Sequence, residues 1–247
     1  MTVVLITGAG RGIGRAITEA YLARPNHTVI GSVRNKADPK YQDLRSFPVA
    51  SGSKLILVSI EGTSLTDPQQ AVDDIKAAGI DHVDVVIANA AVSPPLVPMD
   101  TIPIKDVEEC FRTNTLSPLL LFQALKPLLD RSTSPKWMSV SSAVGSITNI
   151  PVFGLYAVSA YGISKAGLNW FTMGLHTGNE KLIAFSVHPG LVQTEMGNEG
   201  ARSIGMELAP TTIEQSVSRL LASVDQATRE KTSGKFINLD DGSEIPY

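Results

Sequence analysis

A single cysteine, Cys110, and four histidines stand among the 247 residues of this chain. One thiol cannot close an internal disulfide, and four scattered imidazoles without companion thiols make no zinc cluster. An excess of charge is missing too. Lys and Arg number 21 against 24 Asp and Glu, a net charge of −3 with no long run of either sign. That mild acidic balance excludes the basic footprint of a nucleic-acid binder. Long hydrophobic runs are also absent. The richest stretch, Pro118 to Leu129, is broken by Gln123, Lys126 and Pro127 and is too short to cross a bilayer. Met1 to Gly10 has no basic leader and only a short apolar run, Val3–Ile6, so it does not read as a signal peptide. The expectation is a cytoplasmic protein with no nucleic-acid and no membrane partner. A chain of this length buries a sizeable core without a metal or disulfide staple.

Short apolar, β-branched runs do recur along the chain. They lie at Val3–Ile6, Thr28–Val33, Leu55–Ile60, Val83–Ala88, Trp137–Val140, Ala184–His188 and Lys235–Asn238. Segments of helical period separate them, near 12–24, 68–78, 103–130, 157–177 and 211–223. Runs apolar on both faces, alternating with helices, predict an α/β fold: a Rossmann-type doubly wound parallel sheet with helices on both faces. No Pro/Gly/Ser-rich linker interrupts the alternation, so residues 1–247 are expected to form one domain. Two stretches break the pattern. Asn35–Ser53 reads as a long surface connection. Val192–Pro210, with Gly197, Gly200, Gly205 and Pro210, reads as a substrate loop after the sixth strand.

The first run passes straight into Thr7-Gly8-Ala9-Gly10-Arg11-Gly12-Ile13-Gly14. The spacing G-x-x-x-G-x-G, carried by Gly8, Gly12 and Gly14, suits a strand–turn–helix that brings backbone close to a pyrophosphate. Free N–H groups of the helix N-terminus then face the anion. A tight turn with no ligand would need glycine as well, but the placement between a first strand and a first helix favours a dinucleotide. NAD sites place an acid about 20 residues further on, to hold the ribose hydroxyls. Here Arg34 occupies that region, no acid comes before Asp38, and Arg11 sits inside the turn. Two guanidinium groups suit a 2′-phosphate that an acid would repel, so the expected cofactor is NADP(H). The bland alternative makes Arg34 a solvated loop residue and Arg11 a helix-entry residue.

Tyr161-Gly162-Ile163-Ser164-Lys165 opens a helical segment. Residues four apart share a helix face, so phenol and ammonium can lie side by side. An unperturbed tyrosine, pKa about 10, is a sluggish proton donor or acceptor at neutral pH. A neighbouring cation favours its phenolate and brings the proton within catalytic reach. After the fifth run, Ser141 and Ser142 offer a hydroxyl for the same carbonyl oxygen, and the S-S-x-x-G pattern prefers Ser142.

These motifs resemble the short-chain dehydrogenase/reductase family over nearly the whole chain. The matching residues are the Gly8/Gly12/Gly14 turn, Asn89-Ala90-Ala91, Asn114, Ser142, Tyr161-x-x-x-Lys165 and Pro189-Gly190-x-x-x-Thr194. The resemblance implies Tyr161 as proton donor, with Lys165 lowering its pKa and binding the nicotinamide ribose. It implies Ser142 on the carbonyl oxygen and Asn114 anchoring a water relay to Lys165. Gly8, Arg11, Gly12, Ile13, Gly14, Arg34, Asn89, Ala90 and Ala91 would hold the adenosine and pyrophosphate side. Pro189, Gly190, Val192 and Thr194 would line the nicotinamide pocket. Where the family has Asp-Val beside the adenine, this chain has Ser59-Ile60, and Ile60 takes that place. The stretch from Ser142 to Tyr161 is longer than is common and holds a second tyrosine, Tyr156, with Ala160 where a lysine would be needed.

Residues 23–30 and 187–198 look like fungal ketoreductases of the norsolorinic-acid type and sniffer-like carbonyl reductases. The expected function is therefore NADPH-dependent reduction of a ketone or aldehyde, the substrate apolar or aromatic. Alcohol oxidation by the same residues and a non-catalytic NADP(H) sensor are the alternatives. His188 reads as structural and Cys110 as a packed helix residue. Leu119, Leu120, Phe122, Leu125 and Leu128 read as core or subunit contacts, and Trp170, Phe171 and Met173 as packing residues. The resemblance allows a homodimer or homotetramer as well as a monomer, and the sequence does not choose among them.

Overall fold

The computed structural model describes residues 1–153 and 158–247. Among the described residues seven strands form one sheet: β1 (Thr2–Ile6), β2 (His27–Val33), β3 (Lys54–Ser59), β4 (Val85–Ala88), β5 (Lys136–Val140), β6 (Ile183–His188) and β7 (Phe236–Asn238). Their order is β3-β2-β1-β4-β5-β6-β7, and every pairing is parallel. The helices are α1 (Gly12–Leu22), α2 (Asp67–Ala77), α3 (Ile104–Phe111), α4 (Ser117–Leu129), α5 (Ile150–Phe153), α6 (Ser159–Gly178), α7 (Glu195–Ser203) and α8 (Ile213–Gln226). The expected doubly wound sheet is thus observed, each predicted strand within two residues of its place.

Alternation along each strand sends successive side chains to opposite layers. Val3 and Leu5 of β1 join Ile30, Val58, Val86 and Trp137 beneath α2, α4 and α6. Val4 and Ile6 join Val29, Ile87, Met138 and Phe185 beneath α1 and α8. Trp137 is fully buried and meets Phe122 and Phe171 edge-on, at centroid distances of 5.7 and 5.8 Å. Its indole N–H donates to Ser139 Oγ at 3.0 Å.

Strand order reverses between β1 and β4, which opens a crevice at their carboxyl ends. The segment expected as one helix over 103–130 is helical but is interrupted by a π-helical turn, Arg112–Leu116, between α3 and α4. A physical reason lies in Pro118. It has no N–H to give to the carbonyl of Asn114, four residues back, so regular α-helical bonding fails at Asn114.

Both stretches read as loops carry structure. Pro39–Ser46 forms a 3₁₀ helix whose Leu44 is fully buried against Val33 and Leu57. Within Val192–Pro210, α7 begins at the cap Thr194, whose Oγ1 accepts from the N–H of Gly197 at 3.0 Å.

Candidate active site

The crevice is built first by the glycine turn. Gly8 and Gly12 adopt φ of 72° and 54°, values that favour glycine. Gly14 is required by space instead. A Cβ there would lie 2.3 Å from the carbonyl oxygen of Gly8 and 2.5 Å from Asn89 Nδ2. The turn is stitched to β4, where the N–H groups of Asn89 and Ala90 both donate to Thr7 Oγ1 at 2.9 Å, and Asn89 Nδ2 donates to the Thr7 carbonyl at 2.9 Å. Ala91 follows on the same loop. Ile13 lies in the first turn of α1, a turn with no acidic residue and, among the described residues, no side-chain cap. Its N–H groups therefore keep their anion-binding capacity.

The two arginines occupy different surroundings. Arg34 is exposed at the end of β2 and has no ion pair among the described residues. Arg11 does not stand free for the same anion. Its guanidinium pairs with Glu195, the first residue of α7, across the mouth of the crevice. Asp38, the first acid after β2, is tied to Lys40 Nζ at 2.6 Å, which holds its carboxyl below the usual range. Ile60 is nearly buried beyond β3, its N–H donating to Val33 at 2.8 Å.

The opposite wall comes from the end of β6. Gly190 has φ of 87°, and a Cβ there would meet Asp240 and Thr211 side-chain oxygens within 3.0 Å. The carbonyl of Pro189 accepts from Ser216 Oγ at 2.9 Å. Val192 is buried and bridges to Thr211. Thr194 faces the glycine turn, its Cγ2 being 3.2 Å from where a Gly12 side chain would begin. The glycine turn and the segment after β6 thus approach each other at Gly12 and Thr194, at the carboxyl ends of the strands.

The reactive side chains meet at the head of α6. Lys165 is only 2% exposed. Its Nζ lies 5.5 Å from the centroid of the Tyr161 ring and donates to the Val140 carbonyl at 2.8 Å. Burial lowers the Lys165 pKa to about 8, with a weaker opposing influence from the Cys110 thiol. Burial raises the Tyr161 phenol above its ordinary value, the nearby Cys110 thiol adds to the rise, and a hydrogen bond with the Ser142 side chain opposes it. Ser142 is half-buried in extended backbone, opening the 3₁₀ turn Ala143–Gly145. Ser141 is 2% exposed and its hydroxyl has no partner among the described residues. Of the two serines, Ser142 is the one at the phenol.

Asn114 sits in the π turn, almost fully buried. Its Oδ1 accepts from the N–H of Val92, and its Nδ2 donates to the Val92 carbonyl and to Ser164 Oγ, each at 2.9 Å. Ser164 in turn donates to the Tyr161 carbonyl at 2.7 Å. Ser164 thus couples Asn114 to Tyr161, a role the sequence reading missed although Ser164 stands inside the Tyr161–Lys165 motif. Cys110, fully buried, accepts from Asn114 Nδ2 at 3.5 Å, and burial raises its thiol.

Other expectations resolve simply. Phe171, Leu125 and Leu128 are core residues, and Leu119 and Phe122 pack against the core. Trp170 is not a packing residue, because 79% of it is exposed on the outer face of α6. His188 is half-buried with an unpartnered Nδ1, and burial lowers its pKa. Tyr156 lies outside the described residues.

Comparison with known proteins supplies an independent view. A family model described as short chain dehydrogenase matches residues 2–205. The chain is 47% identical to the short-chain dehydrogenase srdF of Neurospora crassa, covering 100% of this chain and 98% of that protein. It is 41% identical to a norsolorinic acid ketoreductase of Dothistroma septosporum, covering 100% and 92%. The fold superposes on an NADPH-bound carbonyl reductase from chicken fatty liver with a TM-score of 0.85 at 26% identity, each chain covered fully. Glycine turn, tyrosine–lysine pair and sequence match all lead to one assignment: the chain belongs to the short-chain dehydrogenase family, whose members are oxidoreductases.

Proposed function

We propose that this chain is an NADP(H)-dependent carbonyl reductase in which Tyr161 protonates the oxygen of an apolar ketone. The observation that carries the reading is the buried ammonium of Lys165, 5.5 Å from the centroid of the Tyr161 ring, at the head of the helix that faces the Ser142 turn. The strand–turn–helix suits a dinucleotide, because the first turn of α1 holds no acid and no side-chain cap among the described residues, which leaves its N–H groups open to a pyrophosphate. NADP(H) is favoured over NAD(H) by the exposed Arg34 and by the capture of Asp38 by Lys40. The NADPH-bound chicken protein supports the same choice.

When bound, the nicotinamide supplies the hydride that the carbonyl carbon accepts. The chain's own residues manage the oxygen. Ser142 and Tyr161 place two hydroxyls where negative charge develops, and Tyr161 transfers its proton there. At pH 7 a pKa near 8 leaves about nine in ten Lys165 side chains cationic. The expected lowering of the phenol by that charge is not what the structure gives: burial dominates and holds Tyr161 above its ordinary value. The resemblance would have Asn114 anchor a water relay to Lys165; its side chain is held at the π turn by Val92 and Ser164. Arg11 joins Arg34 at the 2′-phosphate once it is released from Glu195.

An apolar substrate is supported by the loops at the carboxyl edge of the sheet. Leu96 and Met99 follow β4, Ile147, Ile150 and Val152 follow β5, and Ile204, Met206 and Leu208 follow α7, all of them exposed. No charged residue lies between Lys136 and Lys165 or between Asp84 and Asp100. The norsolorinic acid ketoreductases among the relatives point to an aromatic ketone. No helix among the described residues is long and apolar enough to cross a membrane.

Tyr161→Phe tests the reading. Reduction of an aromatic ketone, followed by loss of NADPH absorbance, should fall by about 10²–10⁴. NADPH affinity should stay within about twofold, since the phenyl ring and Lys165 remain. Turnover that persists in this variant rules out Tyr161 as the proton donor.

A further inference from the structure

The segment that joins Ser142 to the apolar loop is tied down from far along the chain. Beyond β7 the backbone turns back, with Ile237 and Glu244 pairing antiparallel and the N–H of Ile245 donating to the Phe236 carbonyl at 2.7 Å. Tyr247 stacks on Phe236 at a centroid distance of 5.9 Å, and its hydroxyl donates to the Gly234 carbonyl at 3.1 Å. The last residues thus held make three bonds to the segment after β5. Ser146 Oγ, fully buried, donates to the Pro246 carbonyl at 2.5 Å. Thr148 donates to the main-chain oxygen of Tyr247 twice, from Oγ1 at 2.7 Å and from its N–H at 3.3 Å.

Ser146 is separated from Ser142 by one 3₁₀ turn closed by main-chain bonds from Gly145 to Ser142 and from Ser146 to Ala143. The same turn is pressed onto α6. A Cβ at Gly145 would lie 2.9 Å from Lys165 Cβ, and Asn169 Nδ2 donates to the Gly145 carbonyl at 3.2 Å. Displacement at Ser146 therefore reaches Ser142 through a rigid link. On its other side, Ser146 begins the apolar segment bearing Ile147, Ile150 and Val152.

We propose that Pro246 and Tyr247 are positioning residues for ketone binding: by anchoring Ser146 and Thr148 they hold the apolar segment 147–152 and the Ser142 turn in register with Tyr161. The inference rests on the ketoreductase reading above. It predicts an effect on the substrate side of the groove alone, because none of these contacts touches the glycine turn.

The test uses the full chain with Tyr247→Ala, Tyr247→Phe and Ser146→Ala. Two ketones serve as probes, the bulky 2-acetylnaphthalene and the small 2,3-butanedione. Tyr247→Ala should raise KM for 2-acetylnaphthalene about tenfold, with a much smaller change for butanedione. NADPH affinity should be unchanged, and the Thr148 amide should exchange its hydrogen faster. Tyr247→Phe keeps the stacked ring and should restore KM. Should Tyr247→Ala not fold, Ser146→Ala removes one hydroxyl and carries the same comparison. Equal KM changes for both ketones, parallel loss of NADPH affinity, faster exchange at an unchanged KM, or a Phe variant as impaired as Ala would each overturn the inference. A wild-type protein that binds NADPH but reduces neither ketone refutes the ketoreductase reading itself. A wild type that reduces both, beside a Tyr247→Ala variant with unaltered KM, refutes only the positioning role.

Discussion

Replacing Lys165 with methionine separates the stability of this protein from its proposed chemistry, and the structure sets the size of the effect. The ammonium is 2% exposed and, among the described residues, has one acceptor, the Val140 carbonyl. Burial lowers its pKa from 10.5 to about 8. The unfolded chain keeps the ordinary value. Between pH 8 and 10.5 the unfolded state then binds more protons than the folded state, so stability rises with pH through this window. Below about pH 8 both states are protonated and the folded protein bears the whole desolvation penalty, about 3 kcal/mol. Raising the pH from about 7 to about 9.5 should relieve about 2 kcal/mol of it.

The Lys165→Met side chain carries no proton, so the wild-type minus variant difference isolates this one group, with other titrations cancelling. Urea denaturation of both proteins across that range gives the difference directly. It should climb by about 2 kcal/mol in favour of wild type. The absolute offset also contains the lost bond to Val140, which is why the slope is the observable. A flat difference would mean a solvated ammonium and would refute the reasoning, as would a difference that falls with pH. The same titration should appear in function, with wild-type kcat/KM for ketone reduction declining as pH rises through about 8.

Two further substitutions test the groove. Gly14→Ala places a methyl 2.3 Å from the Gly8 carbonyl oxygen and 2.5 Å from Asn89 Nδ2. The strain, about 1–3 kcal/mol, should outweigh the better helix propensity of alanine, and NADPH affinity should fall with stability. Denaturation and cofactor titration check this, and a variant as stable as wild type would contradict the packing argument. Arg34→Ala should weaken NADPH binding at least about tenfold, the scale of a lost charge-assisted bond, and leave NADH nearly unaffected. Equal losses for both cofactors would remove the 2′-phosphate assignment.

The strands and the reactive pair were legible because their signals are local. Val3–Ile6 and its counterparts are apolar on both faces, and only a sheet covered on both sides accommodates that pattern. Tyr161 and Lys165 are four apart on one helix, so period alone brings them together. What the sequence hid depends on partners far along the chain. Arg11 meets Glu195 from 184 positions away, and Asn114 meets Ser164 across 50. Helix α7 contains Gly197 and Gly200, which argue for a loop by propensity, and it forms where Thr194 can cap it beside the glycine turn. Pro118 could have revealed the break at Asn114 from sequence alone, since a missing N–H is covalent fact. The broken helix places the Asn114 amide between Val92 and Ser164, and through Ser164 on the carbonyl of Tyr161. One proline in a leucine-rich helix therefore helps set where a phenol stands two helices further along the chain. Neither the leucine pattern nor the tyrosine motif, read separately, contains that connection.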